Sequence, residues 1–356
     1  MARDLIEHGP PEDAFSVVGV DSEGKFATGV WTEIEIGARR VRFMPVARID
    51  PRDQSRKIPH AARFAGGVLR YRPATDGATM HAHRAEIGAL LATLHRGVPL
   101  IQFIHGDAEE FLPHRSETFW RFAPRAYPAT ERFVARRAAR TIVPNIRACE
   151  RLSRTSTRVA YSRLNWFDGR LFRPTTVPPD EPLRVGWAGR FEPPKDPLLA
   201  VAVFARLNDL GVDFSAWMAG QGTLERETRA AIERAGLVER VQLLGLLEPA
   251  DLAATLAGST VFLMTSRWEG MPRGALEALG SGVPVVSTNV GELRNAVQAG
   301  VNGFLSGGAT PEELGELVVA GGRLARGPAV AETVKDYELQ RVVEEIFGLI
   351  DTGLRE

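Results

Sequence analysis

From Leu183 onward, short unbroken apolar runs alternate with longer amphipathic stretches. LRVGWA precedes PLLAVAVFARLNDLG, FSAWMAG precedes TLERETRAAIERAG, VQLLG precedes PADLAATLAG, VFLMTS precedes GALEAL, and VPVVST precedes a shorter helical segment. Apolar runs without polar alternation predict strands buried on both faces, as in a parallel sheet covered by helices on both sides. Gly211 and Gly236 stand where helix C-caps belong, and Thr310-Pro311-Glu312-Glu313 reads as an N-cap, a first-turn proline and a capping-box glutamate. The first half is less regular. SVVGVD, RVRFMPV, ATMHAH, PLIQFIHG, RTIVPN and RVAYSRLNW are its strand candidates, with helical segments such as AEIGALLATLHRG between them. Two Rossmann-like halves result, joined by the proline-rich, polar stretch from Phe172 to Pro182. The expected organisation is a first domain over 1–172, a linker over 173–182, a second domain over 183–335 and a terminal amphipathic helix within 336–356.

The most chemically informative stretch is RWEGMPRGALEALGSGVPVVS, Arg267 to Ser287. A strand leads into a loop, Gly270 lets the backbone approach a ligand, and GALEAL opens a helix whose amide-bearing N-terminus suits an anion. Glu269 lies at the mouth of that loop and Glu277 one or two turns into the helix, so one ligand can touch both. Arg190 and Lys195 flank a strand-to-helix loop in GRFEPPKD at the carboxyl end of a parallel strand, where ligands bind in open α/β sheets. Arginine grips phosphate through two donors. Taken alone, each of these charged residues is better read as a solvated surface charge. AGQGTLE imitates a dinucleotide fingerprint, but Leu224-Glu225 stands where the third glycine is needed, which argues against a nicotinamide cofactor.

Together these segments resemble the retaining glycosyltransferases of family 4, which have the GT-B fold. RWEGMPRGALEA resembles the family's E-x7-E signature, NWFDGRLFRP its inter-domain segment, GRFEPPKD its diphosphate-binding loop and AGQGTLE its glycine-containing turn, and they occur in family order. The likeness is strong over roughly Asn165 to Gly308 and loose before it. It implies an α/β chain of GT-B type, two Rossmann-like domains with parallel sheets facing across a cleft, the last helix crossing back to the N-terminal domain. It implies a nucleoside diphosphate sugar as donor, a glycan, lipid-linked or small-molecule acceptor, and no metal or other cofactor. By the same resemblance Glu277 would accept hydrogen bonds from the ribose hydroxyls, and Glu269 would meet donor-sugar hydroxyls. Arg190 and Lys195, beside Gly189, would hold the diphosphate. Gly270 and Met271 would present backbone to sugar and phosphate, Pro272 having no N–H to give. Gly220 and Gly222 would leave room near the nucleotide, and the Gly245-Leu246 backbone would sit against the base. His105, at the end of PLIQFIHG, would bind the donor sugar from the N-terminal side. Proteins of this kind open with a strand and a glycine-rich loop, whereas MARDLIEHG reads as the end of the first helix, so that opening strand is expected to be missing. Arg273 has no role in this scheme.

Charge adds little pull: 44 basic and 44 acidic residues give a net charge of zero, which argues against nucleic acid as a partner. The single Cys149 has no disulfide partner within the chain and no ligand cluster beside it, so a buried, inert thiol is expected. His81 and His83 share a strand face without an evident third ligand, which favours a structural role. No apolar run approaches the length of a membrane span, and a cytoplasmic chain is expected. Between Arg115 and Arg140, seven arginines interleave with Phe119, Trp120, Phe122, Tyr127 and Phe133. That stretch is either a surface resting peripherally on the anionic inner face of a membrane or, more commonly, a solvated helix face with its aromatics turned inward. A non-catalytic nucleotide- or partner-binding relative and a GT-B nucleotide-sugar epimerase stand as alternatives to the transferase.

Overall fold

The computed structural model describes residues 1–48, 60–75, 77–105, 126–175 and 182–355. The chain divides into two compact units, Met1–Leu164 with Val342–Glu356, and Asn165–Arg341.

The first unit runs α1 (Ala2–His8), β1 (Ser16–Asp21), β2 (Thr32–Ile36), β3 (Arg39–Arg48), α2 (His60–Tyr71), β4 (Met80–Ala82), α3 (Ala85–Leu94), β5 (Leu100–Phe103), α4 (Ala126–Arg137), β6 (Arg140–Val143), α5 (Ile146–Ser153) and β7 (Val159–Tyr161). Its described strands form two sheets. One is all parallel in the order β4-β5-β6-β7, and the other, β1-β3-β2, is mixed because β2 runs antiparallel to β3. β2 is TEIEI, whose polar–apolar alternation marks a strand with one wet face. In the parallel sheet β5 and β6 are buried along their whole length, with Ile101, Phe103 and Ile142 fully enclosed. Cys149 is half-buried, its Sγ 3.9 Å from Ser153 Oγ.

The second unit runs β8 (Leu183–Ala188), α6 (Pro197–Asp209), β9 (Phe214–Ala219), α7 (Glu225–Arg234), β10 (Val241–Gly245), α8 (Pro249–Ala257), β11 (Val261–Met264), α9 (Arg273–Gly280), β12 (Val285–Thr288), β13 (Gly303–Ser306), α10 (Pro311–Gly321) and α11 (Pro328–Glu332), followed by α12 (Leu339–Arg355). Its six described strands are parallel in the order β10-β9-β8-β11-β12-β13. Neighbouring strand residues serve opposite cores. Trp217 and Phe262 pack on one face with Leu276, Leu279 and Tyr337, while Met218 and Leu263 pack on the other with Phe204, Leu207 and Val318. This two-sided burial is why the strands read as unbroken apolar runs.

Phe167 and Phe172 belong to the first of these cores, and the unit boundary accordingly falls at Leu164/Asn165 rather than near 172. From Val342 onward α12 is grouped with the first unit, where Phe347 meets Phe15 edge-on at 6.4 Å and Glu345 pairs with Arg163 at 3.2 Å. Residues 176–181 of the expected linker lie outside the described residues.

The helix stops at Gly211 and Gly236 have φ of 69° and 65°, left-handed backbone that glycine adopts without a Cβ clash. Thr310 caps α10 by accepting from the Glu313 amide at 3.3 Å. Glu313 does not return to the cap as a capping box requires. Its carboxylate instead accepts from Ser306 Oγ at 2.7 Å and from the Gly307 and Gly308 amides at 2.9 and 2.8 Å, three donors that outbid one.

Candidate functional site

Numbered from β8, the second unit's strand order is 3-2-1-4-5-6, the order of a Rossmann sheet, and the direction of winding reverses between β8 and β11. Ligands of such sheets sit outside the carboxyl ends of the strands at that switch point. Two loops leave from there: 189–196 after β8 and 265–272 after β11. They contain Arg190, Lys195, Glu269, Gly270 and Met271, and α9, which follows the second loop, carries Glu277.

The two loops are tied to each other. Lys195 Nζ forms an ion pair with Glu269 Oε1, which also accepts from Ser266 Oγ at 2.8 Å. Arg267 Nε donates to Asp196 Oδ2 at 2.8 Å, and the Arg267 amide donates to the Pro194 carbonyl at 2.9 Å. Buried Thr265 shares its one hydroxyl proton between the carbonyls of Lys195 and Asp196, at 3.0 and 2.9 Å, and accepts from Trp187 Nε1 at 3.0 Å. Asp196 sits at φ 46° as N-cap of α6, accepting from the Leu199 amide at 3.2 Å, with Pro197 at the first helical position. Thr265, Ser266, Asp196 and Arg267 were not singled out from sequence. Asp-Pro before an apolar helix was the legible signal for Asp196.

The glycines act by letting backbones meet. A Cβ on Gly220, at φ 132°, would run into the Gly189 carbonyl, and one on Gly222 into the Phe191 carbonyl. The Gly189 amide donates to Ala219 O at 3.0 Å, Phe191 to Gln221 O at 2.9 Å and Gly220 to Gly245 O at 2.7 Å, which joins the three successive loops into one floor. Glu192 clamps the Thr223 amide and hydroxyl at 3.1 and 2.8 Å, and these bonds hold its carboxyl below the usual range. Leu246 beyond that floor is 68% exposed, and Arg190 is also exposed.

α9 has Pro272 as its N-cap and no side-chain cap, so no capping side chain takes up the amides at the head of the helix. Asn165 Nδ2 holds the Met271 carbonyl at 2.9 Å. Gly291, not singled out from sequence, has φ 55°, and a Cβ there would strike the carbonyl oxygens of Gly270 and Glu269. Glu277 is 13% exposed, with Arg273 Nε 3.7 Å from Oε1. Burial raises its pKa and the Arg273 cation opposes the rise. Arg273 thus has an observed neighbour in Glu277.

In the first unit, His105 follows β5 and His83 follows β4. His83 Nδ1 and His105 Nε2 lie 3.2 Å apart, the two ring centroids are 5.4 Å apart with the planes at 15°, and His83 stacks on Phe103 at 4.7 Å with the planes 6° apart. His105 opens to solvent on one side, yet the protein packed around it, followed by the N-terminal ammonium, lowers its pKa to about 4. Burial, followed by His105, lowers His83 to about 3, and burial lowers His81 to about 4.

Arg115, Arg121, Arg125, Glu117, Phe119, Trp120 and Phe122 lie outside the described residues. In the remainder of that stretch, Arg140 and Tyr127 are buried and buried Glu131 pairs with Arg151 at 2.8 Å, so these do not belong to a surface. Arg132, Phe133, Arg136 and Arg137 are exposed on α4, with Arg137 over the Phe133 ring.

Residues 170–319 match the family model of glycosyl transferases group 1. Among curated proteins, the chain is 32% identical to 2-deoxystreptamine glucosyltransferase of Streptomyces kanamyceticus over 145 residues, 41% of this chain and 37% of that protein. It is 28% identical to D-inositol 3-phosphate glycosyltransferase 1 of Catenulispora acidiphila over 86% of this chain and 81% of that one. Among solved structures, sucrose-phosphate synthase of Thermosynechococcus elongatus superposes with a TM-score of 0.73 at 18% identity, covering 96% of this chain and 89% of that one. HepE of Anabaena in complex with UDP superposes at 0.65 and 18% identity, over 89% and 86%. The fold is α/β with parallel sheets, and these structural neighbours are GT-B glycosyltransferases.

Proposed function

From the premise that residues 170–319 form a glycosyl transferases group 1 domain, we propose that the protein is a retaining glycosyltransferase. It moves a sugar from a nucleoside diphosphate sugar to a glycan, lipid-linked or small-molecule acceptor. The observation that carries this reading is the convergence at the sheet's switch point of a cationic loop, a carboxylate loop and an uncapped helix head, joined through Lys195–Glu269 and Arg267–Asp196.

Without donor, Lys195 rests on Glu269. With donor, Lys195 and Arg190 turn to the diphosphate beside the α9 amides, and Glu269 is released to donor-sugar hydroxyls. Glu277 accepts from the ribose hydroxyls. As the bond from anomeric carbon to phosphate oxygen breaks, charge grows on the departing diphosphate, and these fixed donors stabilise it. The acceptor oxygen bonds to the anomeric carbon on the same face and its proton passes to the departing phosphate. The scheme uses no metal or other cofactor.

Among the described residues no helix is long and apolar enough to cross a membrane. The exposed Arg132, Phe133, Arg136 and Arg137 support peripheral contact with an anionic membrane near a lipid-linked acceptor, within the cytoplasm. Flotation with anionic vesicles tests this, and equal recovery with neutral vesicles contradicts it.

The transferase reading is tested by incubating the protein with UDP-, GDP-, ADP- and dTDP-sugars and acceptors of the three classes, with proton NMR of the product. A new glycosidic bond of the donor's anomeric configuration is expected. Inversion would refute retention, conversion of donor without acceptor would identify an epimerase, and binding without turnover a non-catalytic relative.

A further inference from the structure

His83 and His105, which follow β4 and β5, form a pair. Three contacts define it: the 3.2 Å approach of His83 Nδ1 to His105 Nε2, the near-parallel planes of these two rings, 15° apart, and the near-parallel stack of His83 on Phe103. Phe103 is fully buried in the parallel sheet, and His81 packs against it at 5.8 Å, so the plane of His83 is set by the core. Two imidazolium rings at this separation repel, and both groups titrate well below neutrality, so the pair is neutral and holds one proton between the facing nitrogens.

A neutral pair has two arrangements. If His83 Nδ1 donates, both rings carry their proton on Nδ1, the less favoured tautomer of a histidine side chain. If His105 Nε2 donates, both carry it on Nε2, the favoured one, and His105 Nδ1 is left bare. The hydrogen bond at one ring nitrogen thereby dictates the chemistry of the other.

We propose that His83 is a positioning residue that fixes the ring and tautomer of His105, presenting His105 Nδ1 as an acceptor for a substrate hydroxyl. The substrate part rests on the transferase reading, whereas the tautomer is a property of the free protein. Long-range proton–nitrogen NMR on protein labelled with 15N-histidine, His105 being assigned through H105Q, reads the tautomer directly. His105 is expected to show an unprotonated Nδ1 and a protonated Nε2. H83F keeps the stack on Phe103 but removes the acceptor, and both His105 nitrogens should shift toward the averages of a tautomer mixture. H83N restores an acceptor near the Nδ1 position and should restore the fixed tautomer. In a transfer assay H83F should lose about 10- to 100-fold in kcat through misplacement of His105, with the donor KM little changed. A proton on His105 Nδ1 in the wild type, or a tautomer unaltered in H83F, overturns the proposal. If H83F does not fold, loss of the fixed tautomer in H83N overturns it instead. The expected tautomers without transfer from any donor would leave the pair standing and refute the transferase reading.

Discussion

Substituting Gly291 by alanine tests whether the glutamate-bearing loop is held in place by backbone contact. The residue has φ 55°, and a left-handed conformation costs a non-glycine residue about 1–2 kcal/mol. A Cβ would also lie well inside 3.0 Å of two backbone carbonyl oxygens, those of Gly270 and Glu269, which have no flexible end to turn aside. The loop must move, and with it goes the bond from the Glu292 amide to the Gly270 carbonyl, now 2.8 Å and worth about 1 kcal/mol. The expected loss is therefore about 2–3 kcal/mol, or roughly 4–12 °C in the melting midpoint of a domain of this size. Gly300→Ala is the control: its φ is 76° but a Cβ there meets nothing within 4 Å, so only the conformational cost of about 1–2 kcal/mol applies. Because the displaced loop carries Glu269 and Gly270, G291A should also weaken transfer about 100-fold for a displacement of roughly 1 Å, whereas G300A should leave transfer unaltered. Differential scanning fluorimetry and an initial-rate assay on the two variants read both effects. If G291A matches G300A in midpoint and in rate, the backbone contact does not hold the loop.

Other substitutions probe individual groups. Burial raises the pKa of Glu277, so between its unfolded and folded pKa values the folded state holds more protons and stability falls as pH rises. E277Q should therefore melt above the wild type at pH 7, a gap that closes below about pH 4, while nucleoside diphosphate binding weakens about 10- to 100-fold. An unchanged affinity by calorimetry would contradict the proposal that Glu277 binds the ribose. K195A should change the melting point little, because a partly exposed ion pair is worth about 0–1 kcal/mol, yet lower kcat/KM about 100- to 1,000-fold. Equal losses in stability and rate would make Lys195 a structural residue. Glu313 has the opposite sign to Glu277: its three donors lower its pKa, so its contribution is present above the unfolded pKa and fades as pH falls through the folded one. E313Q should thus melt below the wild type at pH 7 and converge with it in acid; a gap independent of pH would contradict the assignment.

The second unit was legible because its chemistry and periodicity agree. Val261 to Met264 are buried on both faces, so the strand reads as an apolar run, and the loop and helix after it carry carboxylates that no core needs. Elsewhere the signal was weaker. β2 has only two apolar residues among its five and resembles an exposed segment until β3 lies beside it. β13, four residues opening with glycine, is a strand only because β12 pairs with it. Gly291 and Thr265 act on backbone atoms distant in sequence, and pattern carries no information about such contacts. The mutual engagement of Lys195 and Glu269 has the same origin: each residue type was readable in its own loop, but their pairing depends on the winding reversal between β8 and β11. The raised pKa of Glu277 could not be read from the sequence, because a helix position says nothing of how deeply α9 is buried.

The most direct test of the proposed donor site is the melting midpoint with UDP, GDP, ADP and dTDP, each beside its monophosphate, on wild type and E277A, since a ligand that binds only the folded state raises the midpoint. A nucleoside diphosphate donor site predicts a rise with at least one diphosphate, larger than with its monophosphate and largely lost in E277A. No rise with any diphosphate, or an equal rise in E277A, would contradict it.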